Sequence, residues 1–119
     1  MTEILCTESE VDRGREHFWV LGLNAKNVIL YIELVSLGTL TNSLIHPRET
    51  YRLAVMRGVA SIIAVHNHPS GDCEPSREDC IVSVRLQQAG EVLGINFLDH
   101  IIINEEGNFV SLQERGIVK

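Results

Sequence analysis

The stretch Val59-Ala60-Ser61-Ile62-Ile63-Ala64-Val65-His66-Asn67-His68 decides the fold. From Val59 to Val65 only Ser61 is polar. An apolar run of that length without period-two alternation predicts a central strand covered on both faces. The strand ends in histidines. Alternate residues of a strand share a face, so His66 and His68 project to the same side, roughly 6 to 7 Å apart along the chain, while Asn67 points away from it. Upstream, His17 to Asn24 and Val28 to Leu37 read as strands of a hairpin turning at Ala25-Lys26-Asn27. Gly38 to Ser43 reads as a loop or short edge strand. Pro47 suits a first helical position, Gly58 a left-handed stop, and Tyr51, Ala54, Val55 and Gly58 recur at helical spacing as a core stripe. Downstream, Asn67 to Pro75 is turn-rich, a helix is expected from Ser76 to about Ala89 with Gly90 ending it, and strands are expected at Ile95 to Asn104 and Phe109 to Leu112. The expectation is an α/β fold, one domain over residues 16–119 with a mixed central sheet and flanking helices, preceded by a polar segment over residues 1–15.

Composition narrows the function. A chain of 119 residues, 45% hydrophobic and 22% charged, suits one globular domain and not a disordered segment. No apolar run approaches the roughly 20 residues that cross a bilayer, and Met1 to Arg15 lacks the basic start and apolar stretch of a secretory signal. Three cysteines, Cys6, Cys73 and Cys80, fit neither a disulfide framework nor a paired-cysteine zinc site. A reducing, cytoplasmic setting is expected, with no membrane. The net charge of -6, from 10 basic and 16 acidic residues, disfavours nucleic acid as the partner of this domain.

The chemistry sits in the pattern His66-x-His68-x7-Ser76-x2-Asp79. Imidazole nitrogens and a carboxylate oxygen are zinc donors, and catalytic zinc sites keep three protein ligands with one position open. Asp79 falls one turn into the second helix, behind a loop whose Gly71 and Pro75 can fold that turn back over the strand end. Each piece alone has an ordinary explanation: Ser76-x-x-Asp79 also reads as a helix cap, and the histidines as surface or core residues bonded to carbonyls. Their coincidence within 14 positions at the end of the most buried strand favours a metal site. Capping and metal binding are also compatible.

The run His66-Asn67-His68-Pro69-Ser70-Gly71-Asp72, followed by Pro75-Ser76-Arg77-Glu78-Asp79, is similar to the JAMM (MPN+) metalloprotease motif in the form carried by the RadC family. Leu23 to Asn27, His46 to Glu49 and Leu98 to Ile103 resemble segments of that family too, so the likeness runs from about Glu16 to the end. It implies a cytidine-deaminase-like α/β architecture and a zinc-dependent peptidase or isopeptidase acting on a peptide or protein. By the same resemblance His66, His68 and Asp79 bind zinc, Ser76 helps hold the oxygen that becomes negative, and a glutamate on an earlier strand takes the proton of the attacking water. Glu16 is the candidate for that base because it opens the first strand; Glu33 and Glu49 are its rivals. Members of the family usually carry a helical helix-hairpin-helix region before this domain, so the chain is expected to be an excised domain or a short member.

Two other classes stay open: a metal-dependent nuclease, suggested by His-Asn-His and by the link of the RadC name to DNA repair, and a non-catalytic interaction module. Manganese or iron(II) suits the same donors as zinc. Among the remaining residues, Cys73 reads as a loop residue, Trp19 as core, and Arg48 as solvated although able to meet a substrate carboxylate. His17 and His46 lack ligand spacing. His100 reads as a strand histidine with its hydrogen bonds satisfied, its alternative being to orient a metal ligand.

Overall fold

The computed structural model describes residues 15–38 and 45–119. The expected polar segment up to residue 14, and the connection after Gly38, lie outside the described residues.

The chain opens with β1 (His17–Leu23) and β2 (Ile29–Leu37), an antiparallel hairpin. Asn24 builds its turn: the side-chain Oδ1 accepts from the amides of Lys26 at 2.9 Å and Val28 at 3.0 Å, and Asn27 takes the left-handed conformation that asparagine tolerates. Helix α1 (Pro47–Arg57) starts at Pro47 and stops at Gly58, whose φ is 63°. Then come β3 (Ser61–Asn67), helix α2 (Arg77–Leu93), β4 (Asn96–Ile103) and β5 (Phe109–Ser111).

The five strands form one sheet in the order β2-β1-β3-β4-β5. β3 and β4 run parallel, joined through α2, and the other neighbours are antiparallel, so the sheet is mixed. β3 lies at its centre and is buried on both faces, as its unbroken apolar run requires. On one face Phe18, Val20, Ile62, Ala64 and Ile102 pack with Tyr51 and Ala54 of α1 and Val82 and Leu86 of α2. On the other, Trp19, Leu21, Leu23, Val65 and Ile103 form a smaller cluster. No helix among the described residues is long and apolar enough to cross a membrane.

Two expectations need correction. Val55 is 56% exposed, so only Tyr51 and Ala54 of the proposed stripe face the core. Gly90 does not end the second helix, which continues to Leu93 and stops at Gly94, with φ 74°. Gly90 is instead a packing residue. A Cβ there would lie 2.5 Å from both the Ile95 carbonyl oxygen and the Tyr51 hydroxyl, and Tyr51 must approach closely because its Oη donates to the Leu86 carbonyl at 2.7 Å. Gly90→Ala is therefore expected to destabilise the domain by about 1–3 kcal/mol, the usual range for overpacking. Urea unfolding tests this, and a loss below the gain normally expected from glycine-to-alanine in a helix refutes the packing role.

Candidate metal centre

The central strand delivers two imidazoles and the first turn of α2 delivers a carboxylate. His66 is the penultimate residue of β3, and His68 follows the strand's end, where its amide still donates to the Ile103 carbonyl at 2.9 Å. Asp79 is the third residue of α2 and belongs to a complete capping box: Ser76 Oγ accepts from the Asp79 amide at 3.1 Å, and Asp79 Oδ2 accepts from the Ser76 amide at 2.7 Å. Capping and site formation thus use the same residues. The cap turns the carboxylate back toward the strand end, where Asp79 Oδ1 lies 3.0 Å from His66 Nε2 and Oδ2 lies 3.1 Å from His68 Nε2.

The two Nε2 atoms are 2.9 Å apart. The far nitrogens of both rings are committed elsewhere. His68 Nδ1 donates to the Asp72 carbonyl at 2.8 Å, and His66 Nδ1 meets His100 Nε2 at 2.6 Å. Each ring therefore turns its Nε2 inward, and two nitrogens this close repel unless a proton or a cation lies between them. One donor atom each from His66, His68 and Asp79 falls within 4.8 Å of the others, a group able to hold a metal ion. Around a tetrahedral zinc such donors stand about 3.3 Å apart, given bond lengths near 2.0 to 2.1 Å. The donor set and its spacing fit a divalent cation.

Burial disfavours the Asp79 charge, but hydrogen bonds from His66 and His68, the nearby His66 and the Ser76 amide outweigh it and hold the carboxyl well below the usual carboxylate range. The Asp79 hydrogen bond raises the His68 pKa; burial opposes this, and the Asp72 carbonyl and the charges of Asp79 and Glu16 add to it. The metal-free protein therefore gains stability from this contact that is fully present below the unfolded histidine value of about 6.5 and is lost as pH rises through the raised folded value. The acid limit comes from Asp79, whose contribution fades only as pH falls through its depressed folded value. With chelator present, the stability advantage of wild type over His68→Gln should be largest near pH 5.5 and shrink toward pH 8.5. Paired thermal melts read it, and a gap that widens with pH contradicts the assignment.

Glu16 immediately precedes β1. The antiparallel register pairs Phe18 with His66, and two more residues along it set Glu16 beside His68, consistent with its charge acting on that ring. The backbone around it is held tightly. The Glu16 carbonyl accepts from the Gly38 amide at 2.8 Å, the His17 amide donates to Asn67 Oδ1 at 2.5 Å, and Asn67 Nδ2 donates to the Arg15 carbonyl at 2.9 Å. Asn67 does point away from the histidine face, as alternation requires, and there it clasps the segment carrying Glu16.

The rival carboxylates lie elsewhere. Glu49 pairs with Arg48 and Arg52 on the surface of α1. Glu33 sits in β2 opposite Val20, with β1 between it and β3, and its Oε1 is buried without a hydrogen-bond partner among the described residues. Cys73 is buried with its thiol toward the Asn108 carbonyl at 3.6 Å and is not in the His-His-Asp group. Trp19 is core, stacked on His17.

Sequence reasoning overlooked Ser83 and undervalued Asn67 and His100. Ser83 lies four residues after Asp79, on the same side of the helix, and its Oγ reaches both the Asp79 carbonyl and His100 Nδ1. The i, i+4 spacing was a readable signal.

A mixed five-stranded α/β domain with two histidines and an aspartate gathered at the end of its central strand has the architecture of the JAB, or MPN, domains. The chain belongs to the RadC family: the family model described as "RadC-like JAB domain" matches residues 1–117. It is similar to a UPF0758 protein of Desulforamulus reducens, 51% identical over 114 residues that cover 96% of this chain and 50% of the relative. A UPF0758 protein of Caldanaerobacter subterraneus subsp. tengcongensis is 54% identical over 103 residues, 87% of this chain and 44% of the relative. One of Methanosarcina mazei is 51% identical over 108 residues, 91% and 47%. The chain thus spans about half the length of the curated relatives it matches.

Proposed function

We propose that this domain is a zinc-dependent hydrolase of amide bonds, a peptidase or isopeptidase acting on a peptide or protein, with His66, His68 and Asp79 as metal ligands. One observation carries the reading: two imidazoles bring their Nε2 atoms to 2.9 Å of each other beside a buried carboxylate, an arrangement that a cation relieves. When bound, such an ion supplies Lewis acidity, making water nucleophilic near neutral pH and polarising a carbonyl. The chain's own residues do the rest. Glu16, fixed at the head of β1, takes a proton from the attacking water and returns it to the departing amine. Ser76 Oγ accepts from the Asp79 amide, so its own proton is available to the oxygen that gains charge. The unpaired Cys73 and Cys80 suit a reducing compartment, the cytoplasm.

The test is metal content with substrate class. Purified chain should hold about one zinc and cleave members of labelled peptide or isopeptide libraries but not DNA. Cleavage of DNA alone moves the assignment to a nuclease, and absence of bound metal after zinc loading moves it to an interaction module.

A further inference from the structure

His66 and His68 reach backbone carbonyls by different routes. His68, past the strand end, donates directly to Asp72. His66 lies inside β3, where the backbone carbonyls serve the sheet. Its Nδ1 meets His100 Nε2 at 2.6 Å, His100 Nδ1 meets Ser83 Oγ, and Ser83 Oγ donates to the Asp79 carbonyl at 2.9 Å.

The direction of this chain follows from its end. A carbonyl only accepts, so the single Ser83 proton points at Asp79 and Ser83 Oγ must accept from His100 Nδ1–H. His100 is fully buried and its two ring nitrogens meet His66 and Ser83 rather than a carboxylate, so the ring is neutral, a buried charge without a paired carboxylate being costly. It carries one N–H. Its Nε2 therefore accepts, His66 Nδ1 carries the proton, and the His66 Nε2 lone pair is left facing Asp79 and His68. Phe18 packs edge-on against the His100 ring at 5.8 Å and stacks on His66 at 6.5 Å, which keeps both rings in place.

We propose that Ser83 and His100 are positioning residues that fix the tautomer of His66, the Asp79 carbonyl setting its sense, so that His66 offers Nε2 to the cation. This rests on the reading of His66 as a metal ligand. One residue, Asp79, thus supplies a ligand oxygen through its side chain and orients another ligand through its backbone. Partners of this kind on ligating histidines are worth about 10–100-fold in metal affinity.

The experiment uses the full chain, uniformly 15N-labelled. Long-range 1H–15N spectra of the metal-free protein read the His66 tautomer, and zinc affinity is measured by competition with a chromophoric chelator. Wild type should show His66 protonated at Nδ1. Ser83→Ala should scramble or invert that signature and lower zinc affinity about 10–100-fold, and Ser83→Thr, which keeps the hydroxyl, should restore both. A folded Ser83→Ala protein with wild-type tautomer and wild-type affinity overturns the proposal, as does a wild-type His66 protonated at Nε2. If wild type shows the Nδ1–H tautomer and loses it in Ser83→Ala but binds no zinc, the tautomer control stands and the metal reading fails.

Discussion

Glu16→Gln is expected to lower amide hydrolysis by about 10²–10⁴-fold, the usual contribution of a positioned general base, with zinc affinity nearly unchanged. Glutamine keeps the length and hydrogen-bonding shape of glutamate but cannot take a proton. The proposed metal ligands are His66, His68 and Asp79, and Glu16 acts on one of them, His68, through its charge. Its backbone clasp uses Arg15, His17, Gly38 and Asn67 and does not need the carboxylate. The measurement is kcat and kcat/KM on a peptide found by library screening, with zinc titrations on the same protein. Glu49→Gln, altered on the surface of α1, serves as the control and should keep full turnover. Full turnover in Glu16→Gln would transfer the base to another carboxylate, and Glu33, with its buried Oε1, is then the first to test.

How far the sequence could be read depended on the range of the interaction. The central strand and the pairing of His66 with His68 were legible because burial and period-two alternation are local. Ser76 and Asp79 were legible as a cap, and the cap itself carries the carboxylate to the histidines. Gly90 was misread because a glycine in a helical pattern has two meanings, stop and close packing, and only the distant Tyr51 and Ile95 decide between them. Val55 was misread because spacing alone cannot show where the packed stripe of a helix ends. The roles of Asn67, Ser83 and His100 depend on register: Phe18 opposite His66 across β1, Ala64 beside His100 across β4. Register joins residues 17 with 67 and 66 with 100, separations at which no periodicity speaks.

Asp79 and Ser76 share a cap but not the proposed ligand role, and substituting each separates the two. Ser76→Ala removes the hydroxyl that accepts from the Asp79 amide and should cost about 1 kcal/mol of metal-free stability, while one zinc still binds and still stabilises. Asp79→Ala removes the other half of the box together with the carboxylate facing both imidazoles. Zinc at 100 to 1,000 times its dissociation constant stabilises a single-site protein by about 3–4 kcal/mol, a rise in melting temperature on the order of 10 °C for a domain of this size. That rise should vanish in Asp79→Ala and persist in Ser76→Ala. Asp79→Asn sharpens the comparison: its amide oxygen can still accept from the Ser76 backbone, so the cap survives, but an uncharged oxygen is a poor donor to a dication and the zinc-dependent rise should be largely lost. Differential scanning calorimetry with and without zinc measures all three. An Asp79→Ala protein that zinc still stabilises by the wild-type amount would show that the buried carboxylate serves the helix alone.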